Sequence, residues 1–123
     1  MKTEFIPTEH QIQSAFFDLL RHKYRDIHQL TFAIPNGGLR YWGTARKLKA
    51  EGVKPGVSDV FVARASNGKH GLYIEFKAGK NTLTDLQKEW GRLMVVENYA
   101  FAVCYSVDEA IKVLTTYLYK NNG

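Results

Sequence analysis

Residues 57–77, VSDVFVARASNGKHGLYIEFK, decide the fold. Two runs rich in β-branched and aromatic residues, Val57 to Ala65 and Gly71 to Lys77, flank the short segment Ser66-Asn67-Gly68-Lys69. Asn-Gly between two such runs is the strongest short-range sequence signal for a β-hairpin. The two runs are therefore predicted to form neighbouring antiparallel strands.

The second run places an acidic and a basic side chain together on one face of the sheet. Successive side chains of a strand alternate between faces, so Leu72, Ile74 and Phe76 point one way. Glu75 and Lys77 point the other way, where no apolar contact calls for them. Two interpretations stay open for this pair: a solvated strand face, or part of a functional site.

The pairing across the hairpin decides whether Asp59 joins them. A strict two-residue turn at Asn67-Gly68 would place Asp59 opposite Phe76, on the wrong face. A shift of one residue, through a three-residue loop or a β-bulge, would place Asp59 opposite Glu75 or Lys77. Two carboxylates that close repel each other unless a divalent cation lies between them. Oxygen ligands without His or Cys favour Mg²⁺ or Mn²⁺ over zinc.

Three capping boxes predict where helices begin. Thr8–Gln11, Thr84–Gln87 and Ser106–Glu109 each place Ser or Thr three residues before Gln or Glu, which predicts helices from about residues 9, 85 and 107. The last helix is predicted to reach about Tyr119, and Asn98 to end the middle one in a left-handed cap. The apolar sides of the first two helices are Ile12, Phe16, Leu19, Leu20 and Tyr24, and Leu86, Trp90, Leu93 and Met94.

Two strands and a short helix complete the predicted order. Residues 30–34 and 100–105 read as strands, and residues 44–51 as a short basic helix closed by Gly52. This order implies an α/β fold with a mixed central β-sheet flanked by helices, in which the last strand returns beside the hairpin through a crossover. With 123 residues, the chain is predicted to be a single domain over residues 1–123.

Composition excludes several classes of protein. The single cysteine, Cys104, allows no internal disulfide and no cysteine zinc cluster, and no apolar run approaches the roughly 20 residues of a membrane span. Charge and proline precede any apolar run at the N-terminus, so we expect no signal peptide and a cytoplasmic location, in a bacterial or phage-infected cell. Lys and Arg number 17 against 12 Asp and Glu, and this net charge of +5 favours a polyanionic partner.

Five short elements follow one another along the chain. They are Glu9 on the first helix, Pro35-Asn36-Gly37-Gly38, Pro55-Gly56-Val57-Ser58-Asp59, Glu75-Phe76-Lys77, and Gln87 on a later helix. In this order they resemble the VRR-Nuc domains of the PD-(D/E)xK nuclease superfamily, over about residues 8–105. Ser58 departs from the proline that is frequent in the superfamily motif. The resemblance implies a restriction-endonuclease-like core and metal-dependent hydrolysis of phosphodiester bonds.

The resemblance also implies roles for the residues of the hairpin. Asp59 and Glu75 would bind the catalytic Mg²⁺ or Mn²⁺, with the backbone carbonyl of Phe76 as a further ligand. Lys77 would position or activate the attacking water.

Glu9 and Gln87 are assigned to the catalytic site by the same resemblance. Glu9 would support the metal from the first helix, directly or through water, and it lies on the inward side of that helix. The alternative for Glu9 is a favourable interaction with the helix dipole. The alternative for Gln87 is its place in the capping box.

Glycine-rich and basic segments near these elements are candidates for phosphate contacts. Consecutive glycines let backbone amides approach a phosphate closely, and basic side chains supply charge. A solvated surface is the alternative for any one of the charges. The predicted nucleic-acid-binding residues are Asn36, Gly37, Gly38, Arg40, Arg46, Lys47, Lys49, Lys54 and Lys80.

Together these expectations describe a metal-dependent DNA endonuclease. The resemblance extends the prediction to structure-selective cleavage of branched DNA, such as Holliday junctions, by a homodimer. One domain offers one metal site, so cutting two strands requires two copies or two encounters. The alternatives are a nuclease-fold module that binds nucleic acid without turnover, and a non-catalytic basic interaction domain.

Overall fold

The computed structural model describes residues 5–35 and 45–119. Its helices are α1 (Glu9–Lys23), α2 (Arg25–His28), α3 (Ala45–Ala50), α4 (Asp85–Val96) and α5 (Val107–Tyr119). Its strands are β1 (Thr31–Ala33), β2 (Val60–Val62), β3 (Leu72–Phe76) and β4 (Ala100–Cys104). The sequence did not predict α2, a single turn whose N-cap residue Tyr24 makes no side-chain capping bond. Within the described ranges, no helix is long and apolar enough to cross a membrane.

The strands form one mixed sheet in the order β1-β2-β3-β4. β2 pairs antiparallel with both β1 and β3, which confirms the predicted hairpin. β4 pairs parallel with β3, which confirms the predicted crossover, made here by α4. The predicted α/β class with a mixed sheet is therefore correct.

A bulge in the hairpin sets the register. Asn67 and Gly68 form the turn with φ of 53° and 77°, and a β-bridge between Ser66 and Lys69 closes it. Deeper in the hairpin, Val62 pairs with Leu72. Four steps separate Val62 from Ser66, but only three separate Leu72 from Lys69, so the first strand holds one extra residue between residues 63 and 65.

One face of the sheet packs against α1 and α5 to form the core. These helices are amphipathic, and their capping boxes fix where each begins: Thr8 caps α1 reciprocally with Gln11. At α5 the Ser106 hydroxyl accepts the Glu109 N–H, but the Glu109 carboxylate accepts the N–H of Tyr105 instead of that of Ser106. The buried core side chains are Ile12, Phe16, Leu20, Ile27, Val60, Val62, Leu72, Ile74, Phe76, Cys104, Ala110, Leu114 and Tyr117.

The other face of the sheet carries a row of aromatic rings. The strand register pairs Phe32 with Phe61, Phe61 with Tyr73, and Tyr73 with Phe101. The ring centroids of Phe61 and Tyr73 are 4.4 Å apart, and Trp90 of α4 stands edge-on to Tyr73 at 4.6 Å. Trp90 thus packs against the sheet. The aromatic row stabilises this face of the sheet next to Glu75 and Lys77, the polar residues that follow Tyr73 in the sequence.

α4 lies close to this second face but leaves part of its own apolar side uncovered. A Cβ at Gly91 would lie 2.6 Å from the ring of Phe101, so the helix approaches the sheet through this glycine. Leu86 and Leu93, predicted on the apolar side, are 58% and 43% exposed because the contact is made through the Gly91 side instead. Asn98, with φ of 71°, ends the helix as predicted.

Candidate active site

The hairpin register brings Asp59 to Glu75. Val60 pairs with Ile74, so continuing the ladder by one residue places Asp59 opposite Glu75, the arrangement that the bulge allows. The Asp59 carboxylate is anchored there because its Oδ2 accepts the backbone N–H of Phe76 at 2.7 Å. Asp59 is therefore tied to β3 by its side chain, immediately before its own strand begins.

Glu75 has a buried carboxylate, and one of its two oxygens accepts a hydrogen bond from α4. Its side chain is 2% exposed, and Oε2 accepts a hydrogen bond from Gln87 Nε2 at 3.0 Å. Oε1 is also buried, and no donor among residues 5–35 and 45–119 reaches it. A side-chain hydrogen bond joins Glu75 to Asp59 when Glu75 carries a proton. The alternative of a solvated strand face is therefore wrong, because α4 supplies cover that the β3 sequence by itself does not show.

Burial makes the two carboxylates hard to ionise. Loss of solvent, followed by the neighbouring charge of Asp59, raises the pKa of Glu75 to about 8, and the positive charge of Lys77 opposes this rise. Burial also raises the pKa of Asp59, against the lowering effect of the Phe76 N–H. With this pKa, Glu75 carries a proton at neutral pH, and a bound cation could displace that proton.

Lys77 lies beside the carboxylates and is nearly inaccessible. It is 7% exposed, and its backbone N–H donates to the Cys104 carbonyl at 3.1 Å, which extends the β3–β4 pairing past Phe76. Its charge acts on both Asp59 and Glu75, yet no described carboxylate lies within 4.0 Å of its ammonium. The Lys77 ammonium therefore lies near Asp59 and Glu75 but forms no close ion pair with a described carboxylate.

Glu9 reaches the same region from the start of α1. A cleft of about 560 Å³ is lined by Glu9 and Asp59, and it continues along α1 past Gln13 and Phe17 to Arg21. The negative charge of Glu9 contributes to the raised pKa of both hairpin carboxylates. Glu9 is thus close enough to influence the site and lies at the mouth of an open cleft.

Gln87 caps α4 and also contacts a carboxylate of the candidate site; its catalytic role stays a prediction. Its Oε1 accepts the Thr84 N–H at 2.9 Å, and its own N–H donates to Thr84 Oγ1 at 3.2 Å, which completes the capping box of α4. Its Nε2 donates to Glu75 at the same time.

The donor set fits a hard divalent cation. The carboxylates of Asp59 and Glu75, the latter with one buried oxygen that no described donor reaches, present oxygen ligands of the kind that Mg²⁺ and Mn²⁺ prefer. No group of three or more His, Cys, Asp or Glu side chains that could hold a metal occurs within the described part of the chain. Few protein ligands are typical of Mg²⁺, which keeps waters and accepts phosphate oxygens. The Phe76 carbonyl as a further ligand stays a prediction.

The predicted phosphate-binding residues divide into two groups. Asn36, Gly37, Gly38 and Arg40 lie outside the described residues. Arg46, Lys47 and Lys49 of α3, together with Lys54 and Lys80, have exposed side chains. No hydrogen bond or ion pair between described residues joins these five to Asp59 or Glu75, so their proximity to the carboxylates stays a prediction.

Two features of the site were missed in the sequence. Gly56 adopts φ of +91°, and a Cβ there would lie 2.7 Å from the Leu86 carbonyl oxygen, so the loop before Asp59 rests directly on the first turn of α4. Gln13, Phe17 and Arg21 line the cleft; their spacing of four residues on α1 was a signal that could have found them.

Comparison with known proteins agrees with the fold. Residues 7–108 match the VRR-NUC domain family. A solved structure described as a VRR_NUC domain protein superposes with a TM-score of 0.80 at 26% identity, covering 92% of this chain and 89% of that chain. No curated protein matches the sequence. Since the family match spans most of the chain and the superposition covers nearly all of it, the chain belongs to the VRR-NUC domain family, a family of nuclease fold.

Proposed function

We propose that this protein is a divalent-metal-dependent deoxyribonuclease that cuts within DNA strands. The observation that carries the proposal is the pair of adjacent carboxylates, buried Glu75 and half-buried Asp59, with Lys77 beside them and no hydrogen-bond donor to Glu75 Oε1 among the described residues. Such a cluster is costly to bury, and cation binding would offset that cost.

The residues divide the chemistry among them. Asp59, Glu75 and the Phe76 carbonyl would hold Mg²⁺ or Mn²⁺, which acidifies water and neutralises phosphate charge when bound. The Phe76 N–H fixes the Asp59 carboxylate, and Gln87 fixes that of Glu75.

Lys77 and Glu9 serve the attacking water and the phosphate. The Lys77 ammonium, free of close ion pairs with described carboxylates, positions the water and balances the negative charge that develops as the phosphorus–oxygen bond breaks. Glu9 orders water at the mouth of the cleft that it shares with Asp59.

Branched DNA, such as a Holliday junction, is the substrate we propose. The net charge of +5 and the exposed basic side chains of α3 favour contacts with phosphates over contacts with bases. We therefore expect the protein to recognise the shape of the DNA more than its base sequence. A homodimer would present two metal sites to the two strands that must be cut. Exposed apolar side chains of α4, Leu86, Leu93 and Val96, support an interface on that helix.

The test compares cleavage of labelled linear duplex and four-way junction DNA with Mg²⁺, Mn²⁺ or a chelator. We expect metal-dependent cutting of the junction, reduced at least about a hundredfold in Lys77→Met, which keeps the buried stem but removes the charge. Lys112→Met on α5 removes a lysine charge elsewhere and is the matched control.

Two results would overturn the proposal. Equal cutting by wild type and Lys77→Met would remove the lysine from the mechanism. Binding of DNA by the wild type without cleavage in either metal would establish the other candidate, a nuclease-fold module that binds without turnover.

A further inference from the structure

Two helices of this protein begin with the same capping box. In α1, Thr8 N–H donates to Gln11 Oε1 at 2.9 Å and Gln11 N–H to Thr8 Oγ1 at 3.1 Å. In α4 the corresponding distances between Thr84 and Gln87 are 2.9 and 3.2 Å. The two boxes are equivalent in sequence and in geometry.

The two capping boxes differ in the hydrogen bonding of the glutamine side-chain nitrogen, Nε2. Gln87 Nε2 donates to Glu75 Oε2 at 3.0 Å, whereas the exposed Gln11 makes no hydrogen bond with its Nε2 to any described residue. A glutamate would close a capping box equally well, and its charge would suit a helix N-terminus. Capping alone therefore does not require glutamine at residue 87, but the contact with a carboxylate requires a donor.

A primary amide has an accepting end and a donating end of nearly the same shape. The Thr84 N–H engages the accepting end of Gln87, so only the donating end is left to face Glu75. Reversing the amide would break the bond to Thr84 and place two oxygens against each other at Glu75. The cap thus selects the one orientation that can bind the carboxylate.

The same turn of α4 also contacts the loop that leads to Asp59. The Leu86 carbonyl oxygen lies 2.7 Å from the position that a Cβ of Gly56 would occupy, so the two backbones are in direct contact. The start of α4 is therefore fixed relative to both hairpin carboxylates.

We propose that Thr84 is a positioning residue of the metal site. Its capping box orients the Gln87 amide, which holds Glu75 Oε2 and would leave Oε1 available to a cation. This inference rests on the proposed function, because it takes Glu75 as a metal ligand.

The experiment measures Mn²⁺ affinity by calorimetry on the intact chain, with thermal denaturation of each variant alongside. Thr84→Pro removes the N–H that holds the amide, at a φ of −72° that proline accepts, and Thr8→Pro, at φ of −75°, is the matched control. Gln87→Met and Gln11→Met remove the amides and keep side-chain size. If Thr84→Pro does not fold, Thr84→Ala and Thr8→Ala replace that pair. They keep the Thr N–H and remove the other half of each box, the Oγ1 that accepts the glutamine N–H, so Thr84→Ala is expected to weaken Mn²⁺ binding less than Thr84→Pro, and Thr8→Ala not at all.

We expect Thr84→Pro and Gln87→Met each to weaken Mn²⁺ binding about tenfold. The double variant should weaken it no further, because both changes affect the metal site through the same hydrogen bond, from Gln87 Nε2 to Glu75 Oε2. The two α1 variants should lower the melting temperature similarly and leave affinity unchanged. Loss of affinity in Gln87→Met but not in Thr84→Pro would overturn the inference alone, as would equal losses in the α1 variants. Absence of Mn²⁺ binding by the wild type would overturn the proposed metal site as well.

Discussion

At the scale of single residues, the site consists of polar groups that folding removes from water without fully pairing them. Glu75 Oε1 and Ser58 Oγ are both buried and lack a hydrogen-bond partner among the described residues. Each costs stability in the folded protein. Only the first belongs to a carboxylate pair, however, so the two residues are expected to respond differently to substitution.

Glu75 should make the metal-free protein less stable as pH rises. Its pKa is raised from 4.5 to about 8 on folding, chiefly by burial, so between these values the folded state holds a proton that the unfolded state has lost. The free energy of unfolding then falls with rising pH. Thermal denaturation in chelator from pH 5 to 9 should show wild type losing stability relative to Glu75→Gln. Parallel curves would contradict the raised pKa.

Ser58→Ala should stabilise the protein. The Ser58 hydroxyl is fully buried and has no partner among the described residues, so its removal should raise the free energy of unfolding by about 1 kcal/mol. Ser66→Ala is the matched control, since Ser66 Oγ donates to the Tyr117 carbonyl at 2.7 Å and its loss should lower stability by a similar amount. Urea denaturation measures both; a loss of stability in Ser58→Ala would show that its hydroxyl is bonded.

At the scale of secondary-structure elements, the approach of α4 to the hairpin determines the site. The capping boxes, the turn residues and the ends of α4 and α5 could be read from the sequence, because each depends on side chains within a few residues. The bulge between residues 63 and 65 could only be offered as one alternative, because it depends on which faces of two strands are buried. The exposure of Leu86 and Leu93 could not be read either, since the Gly91 contact with Phe101 decides it.

Gly56→Ala tests the contact between the Asp59 loop and α4. Gly52→Ala is the control, because both glycines have φ near +100° but Gly52 has open space where a Cβ would be added. Backbone strain should cost each variant about 1–2 kcal/mol. Gly56→Ala should lose about 1–3 kcal/mol more in urea denaturation, since its Cβ meets the Leu86 backbone. Equal losses would mean that the loop and α4 separate easily.

At the scale of the whole molecule, a basic chain surrounds an acidic centre. The net charge of +5 leaves the surface attractive to polyanions, while the carboxylates of Asp59 and Glu9 line one cleft and Glu75 is buried. If the proposed function is correct, such a distribution would draw DNA to the protein and make cleavage depend on a cation.

Lys47→Glu on α3 should weaken DNA binding several-fold and reduce the dependence of affinity on salt. Removing one lysine–phosphate pair lowers the slope of log affinity against log salt by about 0.9. Lys112→Glu makes the same charge change on α5, which packs against the core face of the sheet. It should weaken binding only slightly, through the change in net charge, and leave the slope unchanged. Fluorescence anisotropy over a salt series measures both; identical slopes would exclude α3 from the interface.

Sedimentation equilibrium should give twice the mass of one chain if α4 forms the proposed dimer interface. Leu93→Glu places a charge in that surface and should shift the mass toward one chain. Tyr119→Glu alters another exposed apolar side chain, 67% exposed on α5, and should leave the dimer intact. A single-chain mass for the wild type at working concentration would contradict the dimer.

The sequence by itself determined the order of the elements except α2, the hairpin, the caps and the residue types of the site, because these depend on local propensity and periodicity. It also brought Asp59, Glu75, Lys77, Gln87 and Glu9 together as candidates. Only the tertiary structure decided that Asp59 faces Glu75, that Glu75 is buried beneath α4, and that Gln87 caps a helix and binds Glu75 at once. Those facts depend on contacts between segments far apart in the chain, which alternation along a single strand cannot specify.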